Sequence, residues 1–347
     1  MFFAAFRGQI EQTAMTIRRC ILTALALACA TLFGTANAVQ QSPGANAASA
    51  AKEVAAARDL VDSYFGDSDL LDQAAVLVVA ALRDDPNSSD AYVEAARIVR
   101  RDGHIVGDRF MPGTQANSRT LIDKAMALNP ANVRAISLKS EASMLAGDPD
   151  GGLAWARRGL AIDPDYVWLK MRIVEYHERK HEISQAVGAL DAILATPCAK
   201  DNEHRAACVM ALKREAGYFA VRGNEDIVRK LAARIEALRD PHDAWTLGDL
   251  CGRFTDIGLY AEAIDYGHRA LGIMNYGIGR ENLASALYLK AAVSIAAGEN
   301  ATAMIEEARS LHVPKSEILA WFDDADAQAQ KLKPAVQALL APGWAGR

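Results

Sequence analysis

Leu247–Leu271, LGDLCGRFTDIGLYAEAIDYGHRAL, is the stretch whose reading decides the fold. Leu247, Leu250 and Phe254 recur at helical spacing and form one apolar face. Gly258 follows as a residue that can take positive φ and end a helix. Tyr260, Ala263, Ala270 and Leu271 then complete the pattern G-x-Y-x-x-A-x6-A-L. Ala263 and Ala270 keep one face of the second segment small enough for close packing. The stretch therefore reads as two amphipathic helices joined by a tight turn.

The same spacing recurs outward. Pro86, Pro130 and Pro164 each close an apolar helix, in AALRDDP, KAMALNP and RGLAIDP, and the last two lie 34 residues apart. Asp/Asn-Pro is a mechanical stop, because proline has no N–H to continue the ladder and restrains the residue before it. Helix pairs are expected at 52–85, 89–129, 132–163, 167–196, 203–239, 243–274 and 281–311. The first pair keeps Ala74, Ala81 and Leu82, and the fourth keeps Ala186 behind Ile183. The third replaces the alanines with Gly152 and Gly159 and turns at Gly147-Asp148-Pro149-Asp150. The second has a long insertion, Asp102–Asn117, expected as a loop on one face of the array.

This spacing resembles the tetratricopeptide repeat (TPR) family. The resemblance implies an all-α, right-handed α-solenoid of about seven TPR-like helix pairs, at 52–311, with C-terminal capping helices and a tail at 312–347. Leu319, Trp321 and Phe322 are expected to cover the open end. Composition agrees: 347 residues, 51% hydrophobic, exceed one compact core. Alternating β-branched runs are not evident. A net charge of −5, with both signs interspersed, gives neither a nucleic-acid footprint nor a polybasic membrane patch.

The N-terminus reads as an export signal over residues 1–38. Arg18 and Arg19 precede an apolar run from Cys20 to Phe33, and Ala36-Asn37-Ala38 forms an A-x-A cleavage site. Met15 is an alternative start, and Cys29 an alternative lipidation site. Cleavage would remove three basic residues and one acidic one, taking the net charge from −5 to −7, and would leave no membrane span. Residues 39–51 read as a flexible leader. Cys198, Cys208 and Cys251 would then stand in an oxidising compartment, a bacterial periplasm. Cys198 and Cys208, ten residues apart, can pair, and Cys251 falls on an apolar helix face as a buried thiol.

His177-Glu178-Arg179-Lys180-His181 spells H-E-x-x-H, which on a continuous helix binds Zn²⁺ through two histidines while the glutamate serves as general base. The repeat spacing opposes this reading, because with Ala186 aligned to Ala263, His181 falls where Gly258 falls, in a turn. The remaining histidines are scattered, and Gly272–Gly279 (GIMNYGIG) lacks the Lys and Ser/Thr of a phosphate loop. No catalytic residue and no cofactor is assigned.

By the TPR resemblance, the first helices line a groove that holds a protein or peptide. That side would carry Glu94, Arg97 and Arg101, then Arg134 and Glu141, then Trp168, Arg172 and Glu175, and farther on Trp245, Asp249 and Asp256. Trp168 with Arg172 is the pair of the kind interface centres favour. Three functions stand open: an exported, non-enzymatic scaffold of an envelope or secretion assembly, a zinc hydrolase using His177 and His181, and an accessory of polysaccharide export.

Overall fold

The structure, a computed structural model, describes residues 43–323 and 327–341. The expected signal sequence, Met15, Cys29 and the start of the leader lie outside the described residues. The described chain is helical apart from two short strands, and it divides into two compact units that meet in sequence between Ala189 and Leu190.

Unit 1 holds α1 (Pro43–Asp62), α2 (Ser68–Asp84), α3 (Ser89–Asp102), α4 (Thr114–Leu128), α5 (Val133–Leu145), α6 (Pro149–Ile162) and α7 (Val167–Arg179). The helix α8 (Ile183–Leu194) begins in it. The first helices form a continuous layer, α1 against α3, α3 against α5 and α5 against α7, while α2, α4 and α6 pack on their own partners. Burial follows helical period: α2 buries Leu71, Ala74, Ala75, Val78 and Ala81 and leaves its other side wet. Val61, Val78, Tyr92, Ile98 and Ile122 meet in one core, and each large apolar side chain buried there contributes about 1.5–3 kcal/mol.

One device ends the helices that precede prolines. Asp85, Asn129 and Asp163 leave helical geometry, and each side chain accepts the backbone N–H two residues on at 3.0 Å. Asp240 does the same in unit 2 at 2.9 Å. The carboxylate or amide substitutes for the ladder that proline interrupts.

Two sequence expectations change. Helix α1 begins at Pro43, so most of the stretch read as a flexible leader is helical. Its alanines are strong helix formers, and Ala50 and Val54 are buried against Ala81 and Ala91. The insertion after α3 contains a hairpin, β1 (His104–Val106) and β2 (Arg109–Phe110), with His104 opposite Phe110 and Val106 opposite Arg109. Strands of three and two residues are too short to show a period in sequence. The glycines of the third pair also gain a reason. A Cβ on Gly159 would lie 2.4 Å from Leu169 Cδ1, and one on Gly152 would lie 2.9 Å from the Ser140 carbonyl oxygen.

Unit 2 continues with α9 (Asn202–Ala220), α10 (Glu225–Leu238), α11 (Ala244–Asp256), α12 (Tyr260–Ile273), α13 (Gly277–Ala296) and α14 (Thr302–Ser310). Leu247, Leu250, Cys251 and Phe254 of α11 are buried, Gly258 turns at φ +78°, and Ala263 and Ala270 are fully buried on α12. The short helices α15 (Lys315–Ala320), α16 (Ala327–Gln330) and α17 (Lys333–Leu339) follow. Ile318, Phe322, Val336 and Leu339 close over Leu283, Leu287 and Ile305, with Leu319 and Trp321 partly buried beside them. Cys198 and Cys208 form a disulfide, Cα–Cα 5.7 Å, that ties the loop before α9 to that helix, and Cys251 is a buried free thiol. Among the described residues, no helix is long and apolar enough to cross a membrane.

Candidate partner-binding site

The first-helix layer of unit 1 carries a run of ionised side chains. Glu94 on α3 is fully buried and accepts from Arg58 Nε of α1 at 2.9 Å and from Arg97 Nη1 at 2.7 Å. Arg97 donates its other Nη to Asp62 of α1. Three residues on, Arg100 donates to Glu141 of α5. Arg172 of α7 lies 3.5 Å from Glu141 and donates to Glu175 at 2.6 Å. Each first helix thus hands a charge to the next.

Burial and pairing oppose one another along this run, and pairing wins in most places. Burial works against the charged form of Arg97, but Glu94 and Asp62 hold its pKa above the ordinary value. The same balance raises Arg172, beside Glu175 and Glu141. Burial also works against ionised Glu141, and Arg172, Arg100 and Arg101 together pull it below the usual carboxylate range. Arg101 is the exception. It is exposed to solvent, yet the surrounding protein desolvates it, and Arg97 repels it, so that its pKa is lowered.

The hairpin packs against the ends of two first helices. The guanidinium of Arg100 sits over the Phe110 ring, 5.3 Å from its centroid, and Arg179 at the end of α7 donates to Asp108 at the hairpin tip at 2.7 Å. Gly107 takes φ +56° in the turn, where a Cβ would be strained. The insertion is therefore pinned to α3 and to α7 at once, and it leaves Ile105 and Met111 about half exposed.

The structure sorts the residues picked out from sequence. It brings Arg97, Arg101, Arg172 and Glu175 into one constellation with Glu94 and Glu141. Arg172, with 9% of its side chain exposed, holds the layer together and offers a partner little. Arg134 stacks near the Tyr166 ring at 6.0 Å, and Trp168 is half-buried in the first turn of α7. In unit 2, Trp245 is half-buried, and Asp249 is exposed and paired with Lys213. Asp256 accepts from Trp321 Nε1 at 3.3 Å, and burial raises its pKa. Arg58, Asp62 and Arg100 were not picked out, because their partners stand 35 to 41 residues away.

The H-E-x-x-H histidines do not share a helix face. Helix α7 ends at Arg179, and His181 turns at φ +58°. The Glu182 N–H returns to the His177 carbonyl at 2.8 Å, as the Leu259 N–H returns to Phe254 at 2.9 Å beyond Gly258. His177 Nδ1 lies 2.7 Å from Glu182 Oε2. Zinc ligation by this motif needs both histidines one turn apart on a continuous helix, and the turn removes that arrangement. Among the described residues, no group of three or more His, Cys, Asp or Glu is placed to hold a metal ion.

No protein-family model matches the sequence, and no curated protein matches it. Solved structures do. A human IFIT1 dimer with PPP-AAAA superposes with a TM-score of 0.55 at 15% identity, covering 84% of this chain and 64% of that one. The APC/C hetero-tetramer Cut9-Hcn1 superposes with a TM-score of 0.52 at 14% identity, covering 82% of this chain and 55% of that one. A tetratricopeptide repeat protein from Parabacteroides merdae gives 0.41 at 16% identity, over 84% of this chain and 99% of that one. This chain has a tetratricopeptide-repeat fold. It spans less than two thirds of these two IFIT1 and Cut9-Hcn1 chains. The TPR helix pairs place the ionised layer of unit 1 on the first helices, the side the sequence pattern expected to carry a groove.

Proposed function

We propose that this TPR chain is an exported, non-enzymatic scaffold that holds an extended segment or helix of a protein partner along the first-helix face of unit 1, within an envelope or secretion assembly. The observation that carries this reading is the division of labour in that layer. Glu94, Arg97, Arg100 and Arg172 are spent on fixing helix to helix, while Arg101, Trp168 and Arg134 remain wholly or partly open to solvent beside them. A rigid backing behind a few accessible aromatic and cationic groups is the arrangement that interface centres use. Export is supported by the signal-like sequence at residues 1–38 and by the Cys198–Cys208 disulfide, a bond that persists in oxidising compartments.

The test is affinity capture from native envelope with the wild type and with Trp168→Ala/Arg134→Ala. Both positions are half-buried rather than core, so the variant is expected to fold. Loss of a specific co-purifying band supports the face; retention of every partner overturns it. Fractionation with N-terminal sequencing checks export, and an intact N-terminus in the cytosolic fraction overturns that part.

A further inference from the structure

In unit 2 the second helices α10 and α12 pack on their own first helices rather than on each other, and a furrow runs between them with α11 beneath. Two ion pairs cross it as bars. Arg229 of α10 donates to Glu262 of α12 at 3.0 Å, and Arg269 of α12 meets Glu236 of α10 at 2.5 Å. The bars stand seven residues apart on both helices, which is about 10 Å along a helix axis. Between them lies a cavity of about 500 Å³, within the range of small-molecule sites. Phe254 of α11 is its floor, with the Tyr266 ring centroid 5.1 Å away, and the exposed Ala233 and Ala261 leave space that larger side chains would fill. Asp265, also in the lining, has 67% of its side chain exposed. Arg269 lies 3.5 Å from its Oδ2, and among the described residues no other hydrogen bond or ion pair engages its carboxylate.

We propose that this furrow binds a small organic monocation, an ammonium group on an apolar body, with the body on Phe254 between Ala233 and Ala261 and the ammonium at Asp265. The site uses the second-helix side of unit 2, so it stands apart from the scaffold reading, which uses the first-helix side of unit 1. The charges around the furrow select the sign of the ligand. Each bar is neutral in itself; Glu225 adds a carboxylate to Arg229 at 3.3 Å and Arg239 adds a guanidinium to Glu236 at 3.0 Å, and these cancel. Of the other charges on α10, Asp226 and Lys230 are of opposite sign one turn apart, and Arg234 acts on Glu215 of α9. His268 of α12 turns to Glu307 of α14. On α11, Arg253 pairs with Asp256, and Asp249 pairs with Lys213 of α9. Asp265 is left unbalanced. An anion would meet it, and would find Arg229 and Arg269 each already held by two carboxylates. The Arg269 guanidinium also takes the cation–π position over the Tyr266 ring, 5.2 Å from its centroid, so the ligand's charge is directed to a carboxylate rather than to an aromatic face. An exposed ion pair alone is weak, and the apolar body supplies most of the affinity.

The experiment titrates the full chain at neutral pH with four probes, 2-phenylethylammonium, 2-phenylethanol, 3-phenylpropionate and ethylammonium, read by saturation-transfer difference NMR. The phenylethylammonium ion is expected to bind with a dissociation constant on the order of 1 mM, the range of a fragment-sized ligand. The neutral alcohol should bind about fivefold more weakly, and the carboxylate and ethylammonium more weakly still. Asp265→Asn should bring the ammonium ion down to the level of the alcohol. Ala233→Phe should fill the cavity and abolish binding of both, and Ala261→Leu, on the other wall, should weaken both if the larger ring disturbs the helix pair. All three positions are exposed, and circular dichroism checks that the variants are folded. Equal binding of ammonium and alcohol overturns the inference, as does preference for the carboxylate. Ethylammonium bound as tightly as phenylethylammonium, or ammonium binding unmoved in the folded filling variants, reduces the site to a surface ion pair and also overturns it. Absence of saturation transfer to every probe overturns it outright, and none of these results touches the scaffold reading.

Discussion

Replacing Glu94 by glutamine tests whether the ion run in unit 1 holds its helices together. Glu94 is fully buried between Arg58 at 2.9 Å and Arg97 at 2.7 Å. Two unit charges 4 Å apart attract by about 4 kcal/mol at an effective dielectric constant of 20. The full sum is not lost, because the stranded charges have somewhere to go. Arg97 keeps Asp62, and the two arginine side chains are 19% and 24% exposed, so water can recover part of their hydration. Removing one partner of a buried pair costs about 3–5 kcal/mol, and the partial exposure with one retained amide oxygen places Glu94→Gln near 3 kcal/mol. Urea unfolding followed by far-UV circular dichroism should show a lower midpoint at unchanged slope. Adding Arg58→Met removes the charge left stranded while Arg97 keeps Asp62, so the double variant should recover at least half of the loss. A loss below about 1 kcal/mol in the single variant, or a double variant no more stable than the single, would refute the assignment of a structural role to the run.

Three further outcomes are expected. His181→Gly relieves a side chain held at φ +58°, and the gain of about 1–2 kcal/mol, less about 0.5–1 for the freer unfolded chain, should raise the melting temperature by roughly 2 °C; a fall contradicts the turn assignment. Glu141 is held below its usual 4.5 in the folded state, with burial opposing and Arg172, Arg100 and Arg101 prevailing. Its contribution is therefore complete above the unfolded pKa and is lost as pH falls through the lower folded value, so Glu141→Gln should flatten the acid limb of the stability profile below about pH 4.5. Burial pushes the Cys251 thiol up to about 12, so in protein beginning at Val39, whose cysteines are Cys198, Cys208 and Cys251, Ellman's reagent at neutral pH should label no native thiol quickly and one after unfolding; prompt native labelling would place Cys251 at the surface.

Much of the fold was legible because TPR packing writes itself locally. Leu247, Leu250 and Phe254 show their helix in one turn's spacing, and Asp85, Asn129 and Asp163 announce helix ends with the proline that follows each. The position of His181 followed from aligning Ala186 with Ala263, since repeats transfer information from a clear copy to a blurred one. The ion run was only half legible. Arg97 and Arg172 could be placed on a face, each with a partner one turn away in Glu94 and Glu175, but the pairs that join helices could not be read, because they link residues about one repeat apart. Arg58 to Glu94 spans 36 residues and Arg100 to Glu141 spans 41, so the signal is opposite charges about one repeat apart on successive first helices. The hairpin was visible as an insertion and invisible as strands, and α1 began earlier than expected because alanine reads as filler where it is in fact a helix former.

The contact between Asp108 and Arg179 has a mechanical meaning. In an array of repeats most forces pass only between adjacent pairs, so the ends can fray one pair at a time. The hairpin breaks that rule by reaching from the end of α3 to the end of α7, across 71 residues of chain. It is a cross-brace, and because both of its charged ends are wet it is a light one, giving way at about 1 kcal/mol or less and loosening as salt rises. Under tension from a partner pulling on the N-terminal pairs, three consecutive pairs share the strain before any one of them opens. The brace thus resists spreading of the first-helix layer under load.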